Sequence, residues 1–301
     1  MLGLAPVPRH VETEAGRAAA LVFMAEGPAA ASADTRRLDA WTTRWGAIAC
    51  AAAAEIMERF GTVDPQSVAV RLPMILSRAA ARVAAVANPA PARLRSDIGR
   101  DRVVPDSCRA SHDGFFLTRV CELSHPGFDG AMSPVLRREV FVATDAALVL
   151  PYDPVRDRVL LVEQFRMGPY GRGDPYPFVL EPVAGRVDAG ESPEETARRE
   201  AEEEAGLHLH AFEHISSHYC SPGCSTEVFH CYLGLADLAE TGQGQGGLAS
   251  EHEDIRTHVL DFGRVMSLLG SGEINIGPLV LMLLWLQRER PRLRDAAGAA
   301  G

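Results

Sequence analysis

The most informative segment of this chain reads Gly185-Arg-Val-Asp-Ala-Gly-Glu-Ser-Pro-Glu-Glu-Thr-Ala-Arg-Arg-Glu-Ala-Glu-Glu-Glu-Ala-Gly-Leu207. Its second half places Glu200, Glu203 and Glu204 at helical positions i, i+3 and i+4, so their carboxylates lie on one side of a helix. Like charges at this spacing destabilise a helix unless a cation compensates them. Hard dications such as Mg²⁺ take carboxylate oxygens and bridge to substrate phosphates. The segment therefore predicts a metal site for phosphate chemistry.

The same segment carries its own helix boundaries. Ser192 fits the N-cap position and Glu195 the third helical position, which together form a capping box. Gly206 is typical of the residue that ends a helix. The turn before the helix needs unusual backbone angles, which are assigned to Gly185 and Gly190.

A solvated acidic helix face is the alternative interpretation, and it is the usual one for a run of charges. It suits Glu194, Glu195 and Glu202. It does not suit the three stacked acids, which have Arg199 beside them. A guanidinium fork at that position holds a carboxylate in a fixed orientation.

The composition excludes several classes of function. The chain has 301 residues, 47% of them hydrophobic, and a formal net charge of −10. This charge argues against binding to nucleic acid or to an anionic membrane. There is no Lys among the 30 basic residues, so a catalytic lysine is excluded. Six dispersed Cys and the lack of a secretory segment predict reduced thiols in a cytoplasmic protein. The apolar run from Pro278 to Leu286 is too short to span a bilayer.

Four regions are predicted along the chain. Residues 1–90 form a mainly helical segment of unknown function, residues 91–107 a linker, residues 108–290 an α+β domain, and residues 291–301 a disordered tail. The first region is predicted to hold a short strand at 18–24, a helix at 34–61, a helix opening at Asp64-Pro65 that Pro73 ends or kinks, and an Ala-rich third segment at 74–86.

The α+β region alternates apolar runs with Gly, Pro and Asp turns. The segment from Gly242 to Ser250 is predicted to be a Gly/Gln-rich loop. The predicted strands are 115–123, 137–142, 146–152, 158–165, 178–183, 215–219, 227–235 and 255–260, and the predicted helices other than the acidic one are 262–269 and 278–288.

The acidic segment resembles the Nudix box, G-x5-E-x7-R-E-U-x-E-E-x-G-U, where U is a bulky aliphatic residue. Ala201, small at the first U position, is the one departure. The resemblance implies a Nudix-type α/β/α sandwich with a mixed sheet. It also implies hydrolysis of a nucleoside diphosphate linked to another group, with Mg²⁺ or Mn²⁺, two to three ions per site. The matching positions are Gly185, Glu191, Arg199, Glu200, Glu203, Glu204, Gly206 and Leu207.

Further segments are similar to the bacterial ADP-ribose pyrophosphatase branch of that family. They are Leu161–Pro169, Glu181–Gly185, Ser221–Gly223 and Glu251–Ile255. The chain also looks like the tellurite-resistance-associated Nudix proteins, whose extra N-terminal segment resembles a degenerate gamma-glutamylcyclotransferase-like domain. The branch implies cleavage of ADP-ribose or a related ADP-sugar to AMP and ribose 5-phosphate. It also implies a homodimer that exchanges N-terminal strands.

The resemblance also assigns roles to single residues. Glu251 would be the general base, although an exposed loop acid is the alternative. Glu203 would be a further ligand or a supporting carboxylate. Arg166 would meet the diphosphate, although a strand-end salt bridge is as good an interpretation. The implied metal ligands are Glu200, Glu204, Glu253 and the backbone carbonyl of Ala184; the implied catalytic residues are Glu251, Glu203 and Arg199; the implied substrate-binding residues are Arg166, Glu181, Gly223 and Glu227.

Two other functions stay open. The domain could bind ADP-ribose as a sensor without catalysis, or it could hydrolyse NADH or another nucleotide sugar. A structural zinc site is a weaker hypothesis, because the spacing of the histidines and cysteines fits no standard zinc module. These residues are His208, His210, His214, His218, Cys220 and Cys224.

Overall fold

The computed structural model describes residues 4–13, 16–25, 38–238, 242–247 and 253–300. The chain divides into two compact units, Met1–Pro89 and Ala90–Gly301.

The first unit contains a hairpin and two helices. Strand β1 (Leu4–Thr13) pairs antiparallel with β2 (Gly16–Ala25). Helix α1 (Leu38–Met57) packs on α2 (Pro65–Ala87). The predicted strand at 18–24 is confirmed within β2, whereas β1 was not predicted. Asp34, the predicted cap of α1, lies outside the described residues.

Helix α2 runs through Pro73 as one helix, so of the two predicted outcomes, an end or a kink at Pro73, the end is wrong. A proline inside a helix removes one backbone hydrogen bond and crowds the preceding turn. Packing on α1 offsets this cost, because Ile75 and Ala79 are buried in a cluster with Ala52. The helix begins at Pro65, where the sequence predicts its start, and the Asp64 side chain caps it by accepting a hydrogen bond from Ser67 N at 2.9 Å.

The second unit has the three layers of an α/β/α sandwich. Two short strands pair with the main sheet outside its principal strand order, and three further strands form a small separate sheet. Its strands are β3 (Val104–Asp113), β4 (Leu117–Ser124), β5 (Leu136–Val142), β6 (Ala146–Asp153), β7 (Arg158–Phe165), β8 (Phe178–Glu181), β9 (Val183–Arg186), β10 (Ala211–Tyr219), β11 (Val228–Leu235), β12 (Gly242–Gly246) and β13 (Ile255–Asp261). Its helices are α3 (Met167–Arg172), α4 (Pro193–Ala205), α5 (Phe262–Ser271) and α6 (Gly277–Ala300).

The main sheet has the order β10-β11-β6-β7-β13-β12, with β9 paired to β6 and β8 paired to β7. It is mixed, since β11 and β6 are parallel and the other pairs are antiparallel. One face packs on α4 through a cluster that includes Ala147, Val162 and Ala201. The other face packs on α5 and α6 through a cluster that includes Leu150, Val265 and Leu283. The predicted mixed sheet between helical layers is confirmed.

The predicted Gly/Gln-rich loop is in part a strand. Residues Gly242–Gly246 form β12, which pairs antiparallel with β13. Gly242, Gly244 and Gly246 alternate with Gln, and this period of two is typical of a strand. The low β-propensity of glycine conceals that signal.

Strands β3, β4 and β5 form a separate antiparallel sheet. Strand β3 begins inside the predicted linker, at Val104, and nine of its ten residues are exposed. Cys108 and Cys121 are cross-strand partners and form a disulfide. The prediction of six reduced thiols is therefore wrong for these two residues, because the pairing register places them side by side.

The predicted disordered tail is also wrong, because α6 continues to Ala300. Leu293 is buried in the core cluster of the α5–α6 face. Arg290 donates from both Nε (2.7 Å) and Nη2 to Asp157, and Arg294 Nη1 lies 3.4 Å from the same carboxylate. These contacts fix a segment whose composition alone gives no such signal.

Asp157 is expected to contribute to stability through this anchor. Burial raises the pKa of Asp157, but hydrogen bonds from Arg290 and Tyr152 outweigh burial and hold it below its ordinary value of 3.8. Stability from such a group is present above the ordinary pKa and is lost as the pH falls through the lowered one. Asp157→Asn should cost about 2 kcal/mol at neutral pH, because it leaves partly buried guanidinium groups unpaired.

Urea unfolding of Asp157→Asn at pH 7 and at low pH measures this contribution. Asn tolerates the left-handed backbone of residue 157 (φ 61°), so the comparison isolates the charge. Asp261→Asn is the control, since Asp261 is 72% exposed and 3.5 Å from Arg158. A loss no larger than that of the control would contradict the anchor role.

Within the described ranges, no helix is long and apolar enough to cross a membrane.

Candidate active site

Helix α4 begins and ends where the sequence predicts. Ser192 N donates to Glu195 Oε2 at 2.7 Å, and Glu195 N donates to Ser192 Oγ at 3.2 Å, which confirms the capping box. Gly206 has φ 62° and donates to the carbonyls of the last turn, which confirms the predicted end. Ala201 is fully buried against the sheet. A small side chain at that position lets α4 approach the strands closely.

The two glycines of the preceding turn have different roles. Gly190 has φ 93°, as predicted. The prediction is wrong for Gly185, whose φ is not positive. A Cβ added to Gly185 would lie 1.8 Å from Glu200 Oε1 and 2.4 Å from its Cγ. Gly185 is therefore required because the Glu200 side chain crosses directly over β9.

Arg199 holds three carboxylates at once. Its Nη1 donates to Glu200 at 2.7 Å and to Glu203 at 2.9 Å, while Nε and Nη2 each donate to Glu191 at 3.1 Å. Burial lowers the pKa of Arg199, but its contacts with Glu191 and Glu200 outweigh burial and raise it. Arg199 thus fixes the orientation of the acidic face. This geometry supports a positioning role, and no contact shows a chemical one.

Glu204 is the most deeply buried of the acids, at 2% exposure. Its Oε2 accepts a hydrogen bond from Ala184 N at 3.3 Å. Burial, then the charges of Glu200 and Glu253, raise the pKa of Glu204 to about 8. Burial also raises the pKa of Glu200, against the opposing effect of Arg199. The acidic face of Glu200, Glu203 and Glu204 therefore buries more negative charge than Arg199 compensates, and this donor set fits a hard dication.

The side chains of the predicted metal ligands Glu200, Glu204 and Glu253 do not converge on a common point. Among the residues that the structure describes, no group of three His, Cys, Asp or Glu side chains could hold a metal ion. Glu200 is turned towards Arg199, and Glu204 towards the Ala184 amide. Glu253 is close enough for its charge to act on both acids. Glu251, the predicted general base, lies outside the described residues.

Arg166 and Glu181 form an ion pair next to the acids. Arg166 Nε donates to Glu181 Oε2 at 2.7 Å. Burial raises the pKa of Glu181, and the charge of Arg166 opposes this effect. Arg166 also acts on Glu204, whose pKa its charge lowers. The structure thus shows the salt bridge expected as one interpretation of Arg166, and 41% exposure of that side chain leaves it accessible to a ligand.

Gly223 and Glu227 lie in the turn between β10 and β11. Gly223 is exposed. Glu227 Oε2 accepts from Cys220 Sγ at 3.1 Å, and the turn is joined to β5 by the bond from Phe141 N to Cys224 O. Among the described residues, the hydrogen bonds of this turn lead to Cys220 and to β5, and none of them reaches the acids of α4.

The histidines and cysteines of the weaker zinc hypothesis include no group of three that could hold a metal ion among the described residues. Two of the histidines are hydrogen-bonded to serines. His214 Nε2 lies 2.9 Å from Ser217 Oγ, and His218 Nδ1 lies 3.1 Å from Ser216 Oγ. These contacts give the two imidazole rings hydrogen-bond partners.

Sequence reasoning missed one residue that touches the site. A Cβ on Gly246 of β12 would lie 1.7 Å from the backbone carbonyl oxygen of Glu204. The signal that could have found it is the alternation of glycine at 242, 244 and 246, which indicates a strand face pressed against another element.

Similarity to known proteins covers this site. Residues 143–273 match the family described as the NUDIX domain. An ADP-ribose pyrophosphatase of Escherichia coli (strain K12) is 38% identical over 205 residues, 68% of this chain and 97% of the relative. An ADP-ribose pyrophosphatase of Haemophilus influenzae is 37% identical over 187 residues, 62% of this chain and 86% of the relative. A GDP-mannose pyrophosphatase of Salmonella choleraesuis is 36% identical over 151 residues, 50% of this chain and 78% of the relative.

Proposed function

The chain belongs to the Nudix family, and from this premise we propose that it hydrolyses the pyrophosphate bond of ADP-ribose or a related ADP-sugar to AMP and a sugar phosphate. With ADP-ribose the second product is ribose 5-phosphate. The observation that carries the proposal is the buried, undercompensated acidic face of α4, held against β9 by Glu204 and the Ala184 amide. The two ADP-ribose pyrophosphatase relatives support this choice of substrate.

We assign the metal to Mg²⁺ or Mn²⁺, with two to three ions per site. The ligands would be Glu200, Glu204, Glu253 and the Ala184 carbonyl. Bound dications neutralise charge on the diphosphate and make water a better nucleophile at neutral pH. Buried oxygen donors with raised pKa values support this assignment, since a dication would relieve their mutual repulsion.

The remaining residues receive the roles that the resemblance implies. Arg199 would orient Glu200 and Glu203, and Glu251 would accept the proton of the attacking water as general base. Arg166 would exchange its contact with Glu181 for a substrate phosphate, since guanidinium forks bind phosphate bidentately. Gly223 and Glu227 would lie on the nucleoside side of the substrate.

Release of AMP from ADP-ribose in the presence of Mg²⁺ tests the proposal. We expect turnover that stops with EDTA and returns with Mg²⁺ or Mn²⁺. Binding of ADP-ribose without AMP release would instead support the non-catalytic sensor.

A different nucleotide sugar is the second candidate, and the GDP-mannose pyrophosphatase relative is the observation that favours it. Release of GMP from GDP-mannose and of AMP from NADH, measured under the same conditions, ranks these substrates against ADP-ribose by kcat/KM. A higher kcat/KM for either compound than for ADP-ribose would transfer the proposal to that substrate.

We also propose a homodimer. Strand β3 is exposed along almost its whole length, and such an edge is a template for pairing with another chain. A separate exposed surface is apolar and contains Phe165, Tyr170 and Phe178. The Phe165 ring centroid lies 5.8 Å from that of Tyr170 and 5.8 Å from that of Phe178. Patches of this kind mark interaction sites on soluble proteins.

Light scattering at micromolar concentration measures the mass, which we expect to be twice that of the 32.4 kDa chain. Phe178→Glu should shift the equilibrium towards monomer, whereas Val155→Glu, at a residue that is also exposed but lies apart in the β6–β7 turn, should not. A monomeric wild-type protein would contradict the proposal. A cytoplasmic location and the likeness to tellurite-resistance-associated proteins stay predictions.

A further inference from the structure

Strand β12 crosses the last turn of α4 at Gly246. A Cβ built on this residue would lie 1.7 Å from the Glu204 carbonyl oxygen, 2.7 Å from its carbonyl carbon and 3.5 Å from its Cα. In proteins a Cβ atom essentially never lies within 3.0 Å of a heavy atom of a residue that is not its chain neighbour. Any side chain at position 246 therefore forces the strand and the helix end apart by more than an ångström.

Strand β12 pairs with β13 and helix α4 packs against the sheet, and these contacts limit how far a side chain at position 246 could push the two elements apart. Gly246 pairs with Ile255 of β13, which is fully buried. Helix α4 rests on the sheet through Ala197 and Ala201, also fully buried. The atom in the way is backbone and cannot rotate aside. Either β12, which is the edge strand of the main sheet, or the last turn of α4, which carries Glu204, must therefore shift.

Movement of that turn reaches the acids directly. The Glu204 carboxyl is placed by its hydrogen bond with the Ala184 amide. The neighbouring Gly247 has φ 91°, and a Cβ there would lie 3.0 Å from Glu253 Cβ. The pair Gly246-Gly247 thus contacts both Glu204 and Glu253, the two acids that the Nudix box and the segment after β12 contribute.

We infer that Gly246 is a positioning residue of this site, because its missing side chain sets the distance between β12 and the turn that carries Glu204. The inference rests on the proposed function, in which Glu204 is a ligand of the catalytic dication. Supporting residues around a metal site commonly change metal affinity by about 10–100-fold when they are mutated.

Gly246→Ala is compared with Gly244→Ala, a matched control two residues earlier on the same strand. A Cβ on Gly244 would meet the Thr257 hydroxyl at 2.6 Å, which is the end of a side chain and not backbone. Mn²⁺ binding without nucleotide is followed by electron paramagnetic resonance, and kcat and KM for ADP-ribose are measured separately. Thermal unfolding without metal reports the structural cost of each substitution.

We expect Gly246→Ala to weaken Mn²⁺ binding at least tenfold and to lower kcat by about 100-fold, as displacements near 1 Å do, with KM nearly unchanged. Gly244→Ala should keep the wild-type values of Mn²⁺ affinity, kcat and KM. In a Glu204→Gln background Gly246→Ala should add little, because both changes act on one group.

Wild-type Mn²⁺ affinity and kcat in folded Gly246→Ala would overturn the inference and leave the proposed function intact. A variant that does not fold, while Gly244→Ala does, would also overturn it, because Gly246 would then be a requirement of the fold. A wild-type protein that binds no Mn²⁺ would instead remove the proposed function itself.

Discussion

Glu204→Gln is expected to lower kcat for ADP-ribose by about 10³-fold, on the order of 4 kcal/mol of transition-state stabilisation. Glutamine has the same size as glutamate. It keeps a side-chain oxygen that can accept the hydrogen bond from Ala184 N, which is 3.3 Å long in the wild-type protein. It removes the charge that a dication requires. Initial rates of AMP release at saturating Mg²⁺ measure the effect.

The same substitution is expected to stabilise the metal-free protein by about 1 kcal/mol, because an uncharged group replaces a buried acid next to Glu200 and Glu253. Lower activity with higher stability separates a local role from misfolding. Glu202→Gln on the exposed side of α4 is the control and should change neither quantity. Full activity of Glu204→Gln would contradict the metal role.

Arg199→Ala should produce the second largest effect. The guanidinium group contacts Glu191, Glu200 and Glu203, so its loss leaves three acids without a counter-charge. We expect a loss of about 2 kcal/mol of unfolding free energy, since the group is partly exposed. We also expect a fall in kcat of about 100-fold from misplaced carboxylates. Urea unfolding and steady-state kinetics measure the two quantities.

Arg198→Ala is the matched control, one residue away on the same helix. Arg198 pairs with Glu194 at 2.9 Å and lies over the Phe212 ring at 4.0 Å, so its loss should also reduce stability. It should leave kcat within about twofold, because these contacts lie on the other side of α4 and are weak and exposed. Arg199→Lys should have a kcat between those of Arg199→Ala and the wild-type protein, since an ammonium group lacks the planar fork with which the guanidinium group reaches three acids. Equal losses of kcat in Arg198→Ala and Arg199→Ala would argue against the positioning role.

The acidic helix could be predicted from sequence because its determinants are local. The capping residues Ser192 and Glu195, the terminal Gly206 and the spacing of the acids all lie within a few turns of one another. The strands at 146–152 and 158–165 were predicted for the same reason, since continuous apolar runs bounded by turn residues indicate buried strands.

The features that sequence analysis missed depend on contacts between distant residues. Helix α6 continues to Ala300 because Asp157, more than a hundred positions earlier, binds Arg290. The Cys108–Cys121 disulfide depends on the register of two strands. Gly185 has its role through the path of the Glu200 side chain, and its own backbone angles give no sign of it. Positions such as these require the fold before their function can be assigned.

The role proposed for the acids of α4 is to hold dications against a diphosphate. Crystals grown with Mn²⁺ and a non-hydrolysable ADP-ribose analogue, with data collected at the manganese absorption edge, locate the metal. We expect anomalous density bounded by Glu200, Glu204 and the Ala184 carbonyl, in contact with the diphosphate. A bound analogue with no anomalous density at these residues would contradict it.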